Sequence, residues 1–270
     1  GTGLSERGVP EGSMGVGLLD YNLDGLSDLW VVNYENESAS LYQNEGKLFF
    51  RNVSQVTGVT ALEGLYVGWG TCCFDIDRDG DEDLFVSNGH VIRYPKNAPL
   101  RQLPILLSNN GQGRFDNVGS QAGEYFTSPH MGRGAATGDF NLDGKLDLAV
   151  SHVNEPAAIL WNQTPSAGEF LSVNLIGVKS PRDPIGATIE LETSAGKLMR
   201  PVESGGSYAS SNSRRRFFGI PKGSKVKSIS ILWPSGETQR IVDPPQNGFV
   251  TIVEGRDPVE FFIDPSRQNS

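Results

Sequence analysis

The chain has 270 residues, of which 37% are hydrophobic and 20% charged, with 33 Gly, 16 Pro and a formal net charge of −9. That length buries a substantial core without disulfides, and no apolar run approaches the roughly 18 residues that a membrane-spanning helix needs. The charge is uneven: residues 1–168 carry 10 Lys and Arg against 21 Asp and Glu, whereas residues 169–270 carry 13 against 11, which marks a boundary near residue 168 and argues against nucleic acid, whose recognition needs a basic face.

The chain opens on Gly1 rather than Met, so a processed or shortened chain is expected, and a removed signal segment stays open. Three segments then align without gaps: Ser13–Asn33, Gly68–Asn88 and Gly132–His152. Each holds a Gly-x-Gly frame, an acidic loop and a short apolar strand (Leu29–Val32, Leu84–Val86, Leu148–Val150). The first two are followed by hairpin-like stretches, Leu41–Val53 and Leu106–Val118, while the third ends early at Ala157–Gln163. A period of 55 and then 64 residues built from short strands predicts propeller blades of about four strands each.

After Glu169 the pattern changes to alternating strands: Phe170–Gly177, Ala187–Thr193, Lys197–Glu203, Arg214–Ile220, Val226–Trp233, Glu237–Val242 and Gly248–Glu254. Turn residues separate them, which predicts an antiparallel sandwich or barrel. No helix is predicted anywhere. The expected organisation is all-β: a partial or complete β-propeller over 1–168, a β domain over 169–256 and a tail over 257–270.

The acidic loops read Asp-x-[Asp/Asn]-x-Asp-Gly-x-x-Asp. Calcium takes six to eight hard oxygen ligands. Positions 1, 3 and 5 of a tight loop converge on one point: Asp20, Asn22 and Asp24; Asp75, Asp77 and Asp79; Asp139, Asn141 and Asp143. Glycine follows at position 6, where the turn is sharp. Position 7 is Leu26, Asp81 or Lys145, side chains so different that the expected ligand is the backbone carbonyl. Asp28, Asp83 and Asp147 at position 9 can close the shell in bidentate fashion. This is not an EF-hand, which needs a Glu at position 12 between helices; position 12 here is Val31, Val86 or Val150 within a strand. A plain Asp/Asn/Gly turn is the alternative for any one loop. In register across three loops, with four carboxylates crowded into the second, calcium is the better reading, and magnesium fits less well because it demands octahedral geometry.

These loops with their Gly-x-Gly and Asp-Leu-x-Val frames resemble FG-GAP (VCBS) repeats, the calcium-bearing blades of integrin-type propellers. Three stretches, Asn174–Leu191, Val202–Ile220 and Ser228–Ile241, resemble the ASPIC/UnbV domain, and the two in this order are similar to bacterial relatives of cartilage acidic protein. The resemblance implies three Ca2+ sites and about seven blades in a complete ring, of which only three carry the motif here. Further blades upstream, or other segments, would complete it; otherwise the open blade edges are expected to self-associate or to be covered by the second domain.

Other groups yield weaker readings. Cys72 and Cys73 are expected as small buried residues on opposite strand faces. Asn33, Asn88 and His152 align just past each strand and are expected as satisfied loop residues, with a shared ligand-binding mouth as the alternative. His90 and His130 carry no motif. Arg214, Arg215 and Arg216 read as a solvated strand, with an anion site as the alternative. Trp30, Trp69, Trp161 and Trp233 are expected to pack, and Asn36, Asn52 and Asn162 begin N-x-S/T sequons. The expected function is a calcium-dependent interaction protein, secreted, periplasmic or at the cell surface, with a protein or glycan partner. Alternatives are a non-catalytic module of a carbohydrate-active enzyme, or a calcium-dependent polysaccharide lyase using a base near a loop, such as Lys145 or Arg78.

Overall fold

Period-two alternation and Gly-rich turns draw the first part of the chain into antiparallel hairpins. The structure, a computed structural model, describes residue 2 and residues 8–62 and 66–257. The first sheet is a meander of β1 (Gly15–Leu19), β2 (Asp28–Val32), β3 (Ser40–Asn44) and β4 (Phe50–Asn52). The second repeats it with β5 (Gly68–Phe74), β6 (Asp83–Asn88), β7 (Ile105–Asn109) and β8 (Phe115–Asn117). The third has only β9 (Gly132–Gly138), β10 (Asp147–His152) and β11 (Ala158–Leu160). Each acidic loop is the turn of a hairpin, closed by the pairs Leu19↔Asp28, Phe74↔Asp83 and Gly138↔Asp147.

The sheets stack face to face as propeller blades. Leu84, Val86, Ile105 and Leu107 of the second blade pack with Leu19, Trp30, Val32 and Leu41 of the first. Phe85 and Leu106, on the opposite face of the same strands, pack with Leu148 and Val150 of the third. A blade covered on both sides needs apolar residues at successive positions, and every residue of β6 is buried. Cys72 and Cys73 divide in the same way, one to each core, and both are free thiols.

The inner strands β1, β5 and β9 converge, and there the Gly-x-Gly frames do their packing. A Cβ on Gly70 would stand 2.5 Å from the Arg133 carbonyl oxygen, and one on Gly17 would stand 2.5 Å from the Cys73 sulfur. Short one-turn helices, α1 (Ser54–Thr57) and α2 (Glu124–Thr127), follow the fourth strands of blades one and two. The sequence pattern held no helix because four residues are too few to show a 3.6-residue period.

The second domain is a two-sheet sandwich. One sheet is ordered β15 (Arg216–Pro221), β12 (Gly168–Ile176), β18 (Gly248–Val253). The other is β14 (Lys197–Pro201), β13 (Thr188–Thr193), β16 (Val226–Leu232), β17 (Thr238–Val242). Leu171, Val173, Phe218 and Ile252 from the first meet Ile189, Leu191, Ile229 and Ile231 from the second. The expectation of a purely antiparallel domain is corrected: β18 runs parallel to β12, from Leu171↔Gly248 to Ile176↔Val253, because the chain crosses between sheets through residues 243–247. Of the expected tail, residues 258–270 lie outside the described residues.

Each of β1, β5 and β9 is an edge of its own sheet, and an edge exposes unpaired backbone groups. A loop of the second domain, residues 202–215, supplies their partners. The Ser207 amide donates to the Val16 carbonyl at 3.0 Å, and the Ser213 amide to the Thr137 carbonyl at 2.9 Å. The Thr71 and Thr137 amides donate to Ser207 Oγ at 3.1 Å and Asn212 Oδ1 at 2.9 Å. Tyr208 sets its ring edge-on to Trp69, 4.7 Å between centroids. The second domain therefore covers the inner strands of the fan. Trp30, Trp69 and Trp233 are buried as expected, but Trp161 is 53% exposed, because no fourth strand follows β11 in the third blade.

Gly70→Ala drives a methyl into the backbone of the next blade. Overpacking of this kind costs about 1–3 kcal/mol, so the variant is expected to unfold at clearly lower denaturant concentration than wild type with an unchanged slope. An unchanged midpoint would mean that the inner strands are not in contact.

Candidate metal centre

The three loops share one backbone. Position 6 is a left-handed glycine in each: Gly25 at φ 84°, Gly80 at 102° and Gly144 at 82°. Position 4 is also left-handed, although it is Leu23 (59°), Arg78 (68°) or Leu142 (60°). A non-glycine residue rarely adopts this conformation, and strain of this kind persists where the surroundings enforce it. The enforcement is visible as hydrogen bonds. The position 1 carboxylate accepts the glycine amide at 2.9 Å in all three loops, through Asp20, Asp75 and Asp139. The position 5 carboxylate accepts the amide of position 7: Leu26 at 2.9 Å, Asp81 at 3.0 Å and Lys145 at 2.8 Å.

Position 9 does more than the sequence reading assigned. One oxygen of Asp28, Asp83 and Asp147 accepts the amide of position 2, from Tyr21, Ile76 and Phe140 respectively. The other accepts the amide of an asparagine at or just after the end of the blade's third strand: Asn44 at 2.7 Å, Asn109 at 2.9 Å and Asn162 at 2.9 Å. This role of the three asparagines escaped the sequence analysis, where Asn162 figures only as the start of a sequon. Their signal was present, since each repeat carries an Asn at the end of its third apolar stretch. Two of them also join blades: Asn109 Nδ2 donates to the Tyr21 carbonyl and Asn162 Nδ2 to the Ile76 carbonyl.

Among the described residues, Asp75, Asp77 and Asp79 each place one oxygen within 4.8 Å of the others. Asp81 adds a buried carboxylate oxygen, Oδ1, that has no hydrogen-bond partner. The Lys145 side chain leaves its loop to donate to the Thr164 carbonyl at 2.8 Å, and Leu26 is 37% exposed, so neither side chain competes for the centre. Burial is the main cause that pushes the carboxyls of Asp20 and Asp139 up to about 6 and those of Asp28 and Asp75 up to about 7. Asp83 is raised well above its ordinary value, again chiefly by burial, and Asp81 is raised by burial and by Asp79. Buried carboxylates whose charges add rather than cancel, on a loop of hard oxygen donors, fit a divalent cation such as calcium.

The second and third loops lie against the second domain. A Cβ on Gly219 would stand 2.6 Å from Arg78 Cα, and the Ala167 amide donates to the Asp77 carbonyl at 2.6 Å. The Arg78 guanidinium lies 5.0 Å over the Phe170 ring and donates to the Asp143 carbonyl, joining the two loops. Glu82, which the sequence reading passed over, accepts the Asp20 amide at 3.0 Å and faces Arg200 Nε at 3.3 Å.

The remaining sequence candidates divide. Asn33 and Asn88 donate to the Ser38 and Leu103 carbonyls, and His152 bonds the Pro156 carbonyl. Each secures its own loop, as satisfied loop residues do. His130 stacks on Tyr125 at 4.3 Å and meets Glu155 at 3.0 Å, while His90 is buried 3.3 Å from Glu35. The solvated-strand reading of the arginines holds only for Arg214, which pairs with Asp183 at the surface. Arg215 and Arg216 turn into a polar cavity of about 60 Å³ between the domains, lined also by Glu82, Glu203 and Arg200; the domain contact, invisible in sequence, withdraws them from solvent.

Comparisons with known proteins agree with this architecture. The FG-GAP-like repeat family model matches residues 20–86, and the ASPIC and UnbV model matches residues 177–259. Cartilage acidic protein 1 of Homo sapiens is 23% identical over 265 residues, covering 90% of this chain and 36% of its own length. That of Mus musculus is 22% identical over 256 residues, covering 90% and 37%. The chain spans about a third of the length of the curated relatives it matches. It carries FG-GAP-like repeats and an ASPIC/UnbV domain and is distantly homologous to cartilage acidic protein 1. The third loop lies outside the FG-GAP-like match, yet its backbone is the same.

Position 9 and position 3 are expected to behave differently when metal is absent. In chelator, Asp83→Ala leaves two buried amides without an acceptor and lowers unfolding free energy by about 3 kcal/mol. Asp77→Ala in chelator removes a repelling charge and leaves stability unchanged or raised. Equal losses from both, measured by urea titration, would contradict these separate roles.

Proposed function

We propose that this chain is a calcium-binding interaction protein that works outside the cytoplasm, with calcium rigidifying the blades that present a protein- or glycan-binding surface. The observation that carries this reading is the threefold recurrence of one strained loop whose position 1, 3 and 5 side chains are oxygen donors. The residues that would hold the ions are Asp20, Asn22, Asp24 and Asp28; Asp75, Asp77, Asp79 and Asp83; and Asp139, Asn141, Asp143 and Asp147. The carbonyls of Leu26, Asp81 and Lys145 would join them. Calcium supplies positive charge at the point where these carboxylates converge, and the chain's own residues fix the loop around it. Extracellular calcium modules bind at roughly 10⁻⁴–10⁻³ M, which supports a secreted, periplasmic or cell-surface location.

A lyase-type activity needs a free base beside a loop. Lys145 is engaged by Thr164 and Arg78 by Asp143 and Phe170, which favours the binding reading over catalysis.

Calcium linkage tests this. A site held at 100 times its dissociation constant adds about 2.7 kcal/mol, so chelator is expected to lower the melting temperature. The effect has a sign with pH. Without calcium, the raised carboxyls of Asp20, Asp28, Asp75 and Asp139 hold protons in the folded chain at pH values where the unfolded chain has lost them. These groups therefore make the metal-free protein more stable as pH falls from about 7 toward 4. Calcium must displace those protons, so the calcium-induced rise in melting temperature is expected to be larger at pH 8 than at pH 5.5. A melting temperature indifferent to calcium at both pH values would overturn the proposal.

A further inference from the structure

The three blades are copies, so the complete ones show what the incomplete one lacks. In the first two, the strand that ends at the recurring asparagine pairs with a fourth strand: Asn44↔Phe50 and Tyr42↔Asn52, then Asn109↔Phe115 and Leu107↔Asn117. In the third, Leu160, Trp161 and Asn162 hold the equivalent places, fixed by the same bond from the Asn162 amide to the loop aspartate. Among the described residues, β11 pairs only with β10.

The vacant strand position adjoins a groove. At the junction of blades one and two, Phe115 is 6% exposed and packs with Tyr21, Val53 and Val59. Tyr21 is position 2 of the first loop and Val53 follows the fourth strand. Their counterparts at the next junction are Ile76 and Val118, followed by the helical turn that carries Tyr125. No fourth-strand phenylalanine covers these residues; Tyr125 meets the neighbouring Phe126 ring at 5.6 Å, and together with Leu148, Leu160 and Trp161 they line an open cavity of about 740 Å³. Ile159 and Trp161 are 49% and 53% exposed on the same rim. An apolar groove beside an unpaired strand edge is the arrangement by which sheets capture extended peptides, with main-chain bonds giving affinity and the pocket giving specificity.

We propose that this groove takes an extended segment of another polypeptide with the pattern Phe-x-Asn. The segment adds antiparallel to β11 as the fourth strand of the third blade and places its phenylalanine against Ile76, Val118 and Tyr125. The pattern comes from the two strands that already fill this place, Phe50–Asn52 and Phe115–Asn117. Both are built into their own blades, so neither is free to fill the groove of the same molecule. The proposal rests on the reading of the blades as an interaction surface but not on the metal.

The test is a fluorescence-anisotropy titration of a labelled synthetic peptide with the sequence of residues 110–118, supported by the Trp161 emission. Saturable binding is expected, weakened about tenfold or more when the peptide carries Phe115→Ser. The surface variants Ile159→Lys and Trp161→Ser, each checked for fold by circular dichroism, are expected to weaken it similarly; having two keeps the test open if one misfolds. No binding at millimolar peptide, or binding indifferent to all three substitutions, overturns the proposal. So does a dimer that dissociates on Ile159→Lys while taking up no peptide, since the occupant would then be a second copy. Titration in calcium and in chelator separates this inference from the metal reading. Binding that persists in chelator supports the groove and counts against calcium as the organiser. Failure in both conditions overturns the groove alone.

Discussion

Each blade is closed by one buried carboxylate. Asp28, Asp83 and Asp147 are 0–2% exposed, and each spends one oxygen on the start of its own loop and the other on the end of the third strand. That single side chain fixes the hairpin turn, the second strand it begins and the third strand alongside. Burying a carboxylate is costly unless its charge is met, and here further carboxylates crowd the same loop instead of offsetting it. The fold therefore creates a demand for positive charge at three equivalent points, and the loop oxygens are placed where a hard cation would meet it.

Equivalent in sequence, the three points are not equivalent in the molecule. Asp24 of the first loop faces solvent and Asn22 is half-buried. The second loop is enclosed by Gly219, Phe170 and the chain around Ala167, and it reaches the third loop through Arg78. The second domain thus touches the blades at two levels: its loop 202–215 completes the inner strand edges, and its first sheet packs on two of the acidic turns. An arrangement in which the domain merely followed the blades on a linker would leave those edges and turns open to water.

Much of this was legible in the residues. The acidic loops, their place as hairpin turns, and all seven strands of the second domain followed from spacing and alternation, because both are local patterns. The short third repeat was also visible, since Ala157–Gln163 runs into the next domain with no fourth strand between. What escaped was whatever depends on partners far away in sequence. Asn44, Asn109 and Asn162 bond aspartates 15 to 26 residues away, and their role emerges only when the repeats are superposed in space. Arg215 and Arg216 read as solvent-facing until a second domain covers them, and Trp161 read as packed until its missing neighbour is noticed. The parallel pairing of β12 and β18 links residues 77 apart in the chain, which no local alternation records.

The measurement that bears most directly on the account is an ion count. Native mass spectrometry after equilibration with calcium and removal of the excess should find three calcium ions per chain, and Asp24→Ala, Asp79→Ala and Asp143→Ala should each reduce the count by one. A chain that retains no calcium, or a count that none of the three substitutions changes, would contradict the claim that these loops are metal sites.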